Sequence, residues 1–115
     1  MKIKMRNGYE NYESDFKNIL QFLSAYDFII DDNRTDGSYY LYSIKLNNSK
    51  IKSIRFYHEF IEQQLLVTIM INDNYYTTLE LNKNKKYYNE KDLKPNGDDY
   101  INALKNNAEI IKMLL

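Results

Sequence analysis

Near the middle of the chain, Leu65, Leu66, Val67, Ile69, Met70 and Ile71 form an almost unbroken apolar run, interrupted only by Thr68 and closed by Asn72-Asp73-Asn74. A run this short, rich in β-branched residues and bounded by a turn, reads as a central strand covered on both faces. It commits the chain to a sheet, and the flanking sequence supplies the other strands. Ser38 to Leu46 places Tyr40, Tyr42, Ile44 and Leu46 on one face; Ile54, Phe56, His58 and Phe60 repeat at period two; Tyr75 to Leu81 alternates with Thr77, Leu79 and Leu81 inward. Phe28, Ile29 and Ile30 form a short strand ahead of a polar loop, Asp31 to Gly37. The turns at Asp36-Gly37, Asn47-Asn48-Ser49 and Asn72-Asp73-Asn74 are too short for crossovers, so the strands pair antiparallel.

Two helical patterns bracket this region. Phe16, Ile19, Leu20 and Leu23 fall at i, i+3, i+4 and i+7, with Phe22 and Tyr26 widening the stripe. Asn11 or Ser14 can cap this helix, and Glu13 and Asp15 suit its positive end, which predicts a helix over about Glu13 to Tyr26. Residues 82–97 are polar and contain five lysines. Pro95 with Asn96-Gly97-Asp98 then signals a second helix, whose stripe is Ile101, Leu104, Ala108, Ile111 and Leu115, flanked by Ala103, Ile110 and Leu114. The expected fold is α+β: one domain over residues 1–115, a four- to five-stranded antiparallel meander, and the N-terminal and C-terminal helices packed on one face.

Several function classes fall away. Cysteine is absent, which removes disulfides and thiolate zinc sites and fits a reducing compartment. The basic start, Met1 to Arg6, is followed by Asn7, Gly8, Tyr9 and Glu10 rather than by an apolar segment, and no run approaches the ~20 residues of a membrane span. The expected location is the cytoplasm of a host bacterial cell, with no membrane partner. Sixteen basic and sixteen acidic residues cancel, unlike the basic surplus of a dedicated nucleic-acid binder or the acidity of a nucleic-acid mimic.

No catalytic, cofactor-binding or metal-binding set emerges. His58, beside Glu59, could serve as a general base, but it shares strand parity with Ile54, Phe56 and Phe60, and Glu59 points to the other face. Asp31, Asp32, Asn33, Asp36 and Gly37 suggest calcium only superficially: with Gly37 as the loop glycine, Arg34 takes the third position and Ser43 the twelfth, where a bidentate Glu belongs. The three glycines are too dispersed to cradle a phosphate, and no serine sits in a nucleophile elbow. Scattered carboxylates are all that an enzyme could use. The expectation is a non-enzymatic protein without cofactor.

What stands out is tyrosine, twelve residues with the pairs Tyr39-Tyr40, Tyr75-Tyr76 and Tyr87-Tyr88. Neighbours on a strand face opposite ways, so one of each strand pair leaves the helix-covered face. Tyr40 and Tyr75 follow the apolar parity, which puts Tyr39 and Tyr76 on the open face with Leu41, Leu66 and Met70. That set is unusually apolar for a solvated face; a partner protein, or a homodimer packing sheet to sheet, would satisfy it. The acidic loop Asp31, Asp32 and Asp36 offers a second contact surface. The segment around Tyr87 and Tyr88, with Lys83, Lys85, Lys86, Lys91 and Lys94, offers a third that could bind single-stranded nucleic acid.

Phe, Tyr, Met, Ile, Asn and Lys, all with AT-rich codons, fill over half the chain, whereas Gly, Ala, Arg and Pro total ten residues, as in a low-GC bacterium, its phages or its mobile elements. With the order helix, antiparallel strands, helix, this composition resembles small phage-borne inhibitors of the anti-CRISPR type, and equally the immunity proteins of bacterial toxin systems. The resemblance spans the chain as composition and element order, not as a residue motif, so no site residues follow from it. It implies a protein partner, either a bacterial defence nuclease complex or a toxin, and an inhibitory role. The alternative is a small nucleic-acid-binding regulatory module using residues 83–94.

Overall fold

The computed structural model describes residues 11–47, 50–85, 87–95 and 100–115. Five strands, β1 (Phe28–Thr35), β2 (Tyr39–Leu46), β3 (Ile51–Glu59), β4 (Gln64–Ile71) and β5 (Asn74–Thr77), form one antiparallel open sheet in sequence order. Three α-helices accompany it: α1 (Tyr12–Ile19), α2 (Thr78–Lys85) and α3 (Ile101–Leu114), with 3₁₀ turns at Gln21–Ala25 and Glu90–Leu93. The α+β meander expected from the sequence is the observed fold.

Parity sorts the side chains. Tyr40, Ile44 and Leu46 of β2, Ile51, Ile54 and Phe56 of β3, and Leu65, Val67 and Ile69 of β4 are buried on one face, where they join one cluster with Tyr12, Phe16, Leu20, Leu23, Leu104, Ala108 and Ile111. Both terminal helices therefore lie on the same side. The N-terminal helix is shorter than the pattern predicts: α1 stops at Ile19 and the chain tightens to a 3₁₀ turn over Gln21–Ala25. Residues three apart eclipse in a 3₁₀ turn, so Leu20 and Leu23 still face the core. Asn11 is the N-cap residue but accepts through its backbone carbonyl, from the Asp15 N–H, and makes no side-chain cap. The Asn96-Gly97-Asp98 signal and the basic start lie outside the described residues.

Three local expectations are corrected. The segment read as a polar loop, Asp31 to Gly37, is strand as far as Thr35. Asp and Asn disfavour strands, but β1 is an edge, where one side is solvated and polar residues are tolerated, and a bulge between Ile30 and Asp32 absorbs the mismatch. Second, the hairpin after β4 has a two-residue loop, Asn72-Asp73, with φ of 50° and 68°, as a type I′ turn requires; Ile71 pairs with Asn74, not with Tyr75. A one-residue change of register flips every side chain, so Tyr76 pairs with the core residue Ile69 on the helix-covered face and Tyr75 takes the open face. Third, the strand expected to reach Leu81 ends at Thr77. Thr77-Thr78-Leu79-Glu80 is a capping box: the Glu80 carboxylate accepts from the Thr77 N–H while Thr77 Oγ1 accepts from the Glu80 N–H, and α2 begins.

The polar stretch 82–97 is stitched down by amides. Buried Asn107 of α3 donates from Nδ2 to the carbonyls of Ala103 and Leu93 and accepts from Thr78 Oγ1 of α2. Asn106 holds the Asp92 carbonyl, and Asn82 both donates to and accepts from the Tyr88 backbone. Replacing Asn107 with Leu leaves Thr78 and the Leu93 carbonyl unsatisfied, so urea unfolding should register a loss of about 1–3 kcal/mol. Leu104→Ala should cost ~2–5 kcal/mol through the cavity it leaves. Unchanged unfolding midpoints in both variants would contradict the two-layer packing.

Candidate binding face

Among the described residues the helices cover one face of the sheet. Across the other face the register builds four rows: Ile29, Lys45, Ser53, Met70 and Tyr75; Asp32, Ser43, Arg55, Thr68 and Thr77; Arg34, Leu41, Tyr57 and Leu66; Tyr39, Glu59 and Gln64. Ile29 (71%), Tyr75 (65%), Leu66 (46%) and Tyr57 (36%) are exposed there. β4 is thus covered on one face rather than two. Tyr39 stacks diagonally on Tyr57, with ring centroids 5.7 Å apart at 27°. Leu41, between its cross-strand neighbours Arg34 and Tyr57, is buried.

Of the residues expected on this face, the structure brings Tyr39, Leu41, Leu66 and Met70 together and removes Tyr76, for the register reason given above. Sequence reasoning missed Tyr57, Tyr75, Ile29 and Arg55. The signal for Tyr57 and Arg55 was present, because both alternate with Ile54, Phe56 and His58. Tyr75 depended on the turn geometry.

The charges are unevenly committed. Arg34 forms a two-bonded pair with Asp32, from Nε to Oδ1 and Nη2 to Oδ2, both at 3.0 Å. Lys45 Nζ lies 3.6 Å from Asp31. The Glu59 carboxylate caps the following turn by accepting from the Ile61 and Glu62 N–H groups. Asp36 accepts from the Ser38 N–H and hydroxyl and from the Tyr39 N–H, and the Ser38 backbone bond leads in holding its carboxyl below the usual range. The acidic triad is therefore dispersed, with Asp32 paired along β1, Asp31 paired across to Lys45 of β2, and Asp36 spent on the β1–β2 turn. Arg55, exposed at the centre of the face, has no carboxylate partner among the described residues.

Tyr87 and Tyr88 lie elsewhere, beside α2. Together with Asn82, Lys83, Asn89, Glu90 and Asp92 they line an open depression of about 450 Å³. Among the described lining residues Glu90 and Asp92 oppose Lys83, and Lys86 of the expected basic segment lies outside the described residues. Among the described residues no three His, Asp or Glu side chains gather into a metal site, and no helix is long and apolar enough to cross a membrane.

His58 is buried on the helix side. Its Nδ1 lies 2.8 Å from the Tyr12 hydroxyl, and its ring meets Tyr12, Phe60 and Tyr100 edge-on. Tyr12 was absent from the expected helix, which began one residue later. Burial pushes the imidazole down to about 4, against a weaker opposing pull from Glu59. The Tyr40 phenol, cross-strand from His58, is pushed well above its ordinary value by burial, with the charge of Glu13 adding to it, and the hydroxyl has no partner among the described residues. Comparison with protein families, with curated proteins and with solved structures finds no match to this chain.

The neutral, buried imidazole makes stability pH-dependent. An unfolded chain takes a proton on His58 below about 6.5, which the folded chain refuses until about 4. The contribution of neutral His58 is complete above pH 6.5 and declines as pH falls toward 4. Denaturant unfolding at pH 7 and pH 5 should show about 2 kcal/mol of the wild-type loss absent from His58→Gln, whatever that variant's absolute stability. Equal slopes for the two proteins would place the imidazole in contact with water.

Proposed function

We propose that this is a binding protein rather than an enzyme, that it docks the uncovered sheet face on a protein partner, and that by occupying its partner it blocks a larger bacterial assembly. The observation that carries the docking reading is the one-sided helix layer. It leaves Tyr57 and Leu66 exposed beside buried Leu41, and Ile29 and Tyr75 exposed at the two ends of another row of the same face. Tyrosine and arginine are among the side chains that most often dominate protein interfaces, and this face presents Tyr57, Tyr75 and Arg55. The blocking role follows from the resemblance in composition and element order to small phage-borne inhibitors. An immunity-type role toward a toxin would use the same face.

The paired substitution Tyr57→Ser with Leu66→Ser removes the centre of the face without touching the helix-side core. It should leave the melting temperature within a few degrees of wild type and abolish the proteins specifically retained by wild-type bait from a low-GC bacterial lysate. Light scattering on both proteins separates a partner from a sheet-to-sheet dimer, since a dimer would fall to monomer mass in the variant. Retention of the same proteins by the variant would move the interface to β1 or to the Tyr87-Tyr88 depression.

A further inference from the structure

We infer that the partner presents an acidic side chain to Arg55, and that this charge pair is the specific contact beside the apolar cluster of Leu41, Tyr57 and Leu66. The inference rests on the docking reading above and adds to it the chemistry of the occupant. Arg55 stands on β3 between cross-strand neighbours Ser43 and Thr68, two residues from Tyr57 and diagonal to Leu41 and Leu66. Every other charge in these rows is spoken for: Arg34 by Asp32, Lys45 by Asp31, Glu59 by two backbone N–H groups. The face therefore carries one uncommitted positive charge, on the side chain best shaped to bind a carboxylate through two parallel bonds.

A partner covering Leu66 and Tyr57 would strip water from Arg55. Leaving a guanidinium buried and unpaired is costly, so a face that uses its apolar rim must also satisfy this centre. A single carboxylate does so. Single-stranded nucleic acid would stack on Tyr57 and Tyr75 but needs several cations to follow its phosphates, and the other two cations of these rows, Arg34 and Lys45, are already paired with Asp32 and Asp31. Charge complementarity thus favours an acidic protein segment.

The probe is a random peptide library displayed on phage and panned against the immobilised wild-type chain, followed by affinity measurement on synthetic peptides from the enriched clones. The expected result is enrichment of peptides with a shared Asp or Glu. Their affinity should fall at least tenfold in Arg55→Gln and be restored when Arg55→Glu is paired with the peptide's acidic residue changed to Lys. Arg55 is exposed, so both variants should keep the wild-type melting temperature; one that did not would be replaced by Arg55→Lys, expected to fall between wild type and Arg55→Gln. Peptides that lack an acidic residue, or that lose affinity in Tyr57→Ser but not in Arg55→Gln, would overturn the acidic contact and leave the docking face standing. Peptides insensitive to both would overturn both. Binding of a 20-mer oligothymidylate that depends on Arg55 and Tyr57 would overturn the inference in favour of nucleic acid, and so would a library from which nothing enriches.

Discussion

Five antiparallel strands in sequence order leave each residue one choice, up or down, and only one of those directions is roofed by helices. The rest of the molecule depends on this sidedness. Tyr40, Ile44, Ile54, Phe56, Val67 and Ile69 meet α1 and α3 and make the core; the residues between them face the other way, whatever their chemistry. A solvated sheet face normally alternates polar residues against the core, but here Leu41, Tyr57, Leu66, Met70 and Tyr75 share that face with a polar row through Asp32, Ser43, Arg55 and Thr68. The hydrophobic effect that folds the chain is therefore satisfied on one side and left as a surface property on the other.

The helix side is closed by polar bonds as well as by apolar contact. α2 buries Thr78 and Asn82 and is tied by side-chain amides to α3 through Asn107 and to the Tyr88 backbone through Asn82, while Asn107 also ties α3 to the Glu90–Leu93 turn. The Tyr100 hydroxyl donates to the Asp15 carboxylate at 2.7 Å and joins the start of α3 to α1. His58 and Tyr12 place a polar contact inside a ring cluster that also holds Phe16, Tyr40 and Phe60. Such contacts contribute little net energy each, but the structure loses a full desolvation penalty whenever one partner is removed, which favours this packing over its near alternatives.

The two sheet edges are treated differently from the face. β5 has only four residues and runs straight into α2. β1 is long, but a bulge and the charges of Asp31, Asp32 and Arg34 discourage another strand from adding to it. With both edges blunted, the broad face is the larger regular surface that the sheet offers, and Arg55 stands exposed on its central strand.

Much of this was legible in the amino-acid order. Period-two runs and a 3.6-residue stripe at each end specified strands, helices, antiparallel pairing and the core membership of Phe16, Leu20, Leu104, Val67 and Ile69, because burial of apolar side chains at those periods has few other solutions. The parity of β2 and β3 likewise placed Tyr39, Leu41 and His58. What only the tertiary structure decided were the points where one residue of register or one cap changes everything downstream. A two-residue turn at Asn72-Asp73, rather than a three-residue one, exchanged Tyr75 for Tyr76; the Thr77–Glu80 box ended β5 four residues before its alternation did; edge pairing made a strand of Asp31 to Thr35. Which charges remained unpaired could not be read from a chain with equal numbers of each sign, because ion pairing depends on distances that only the assembled sheet defines.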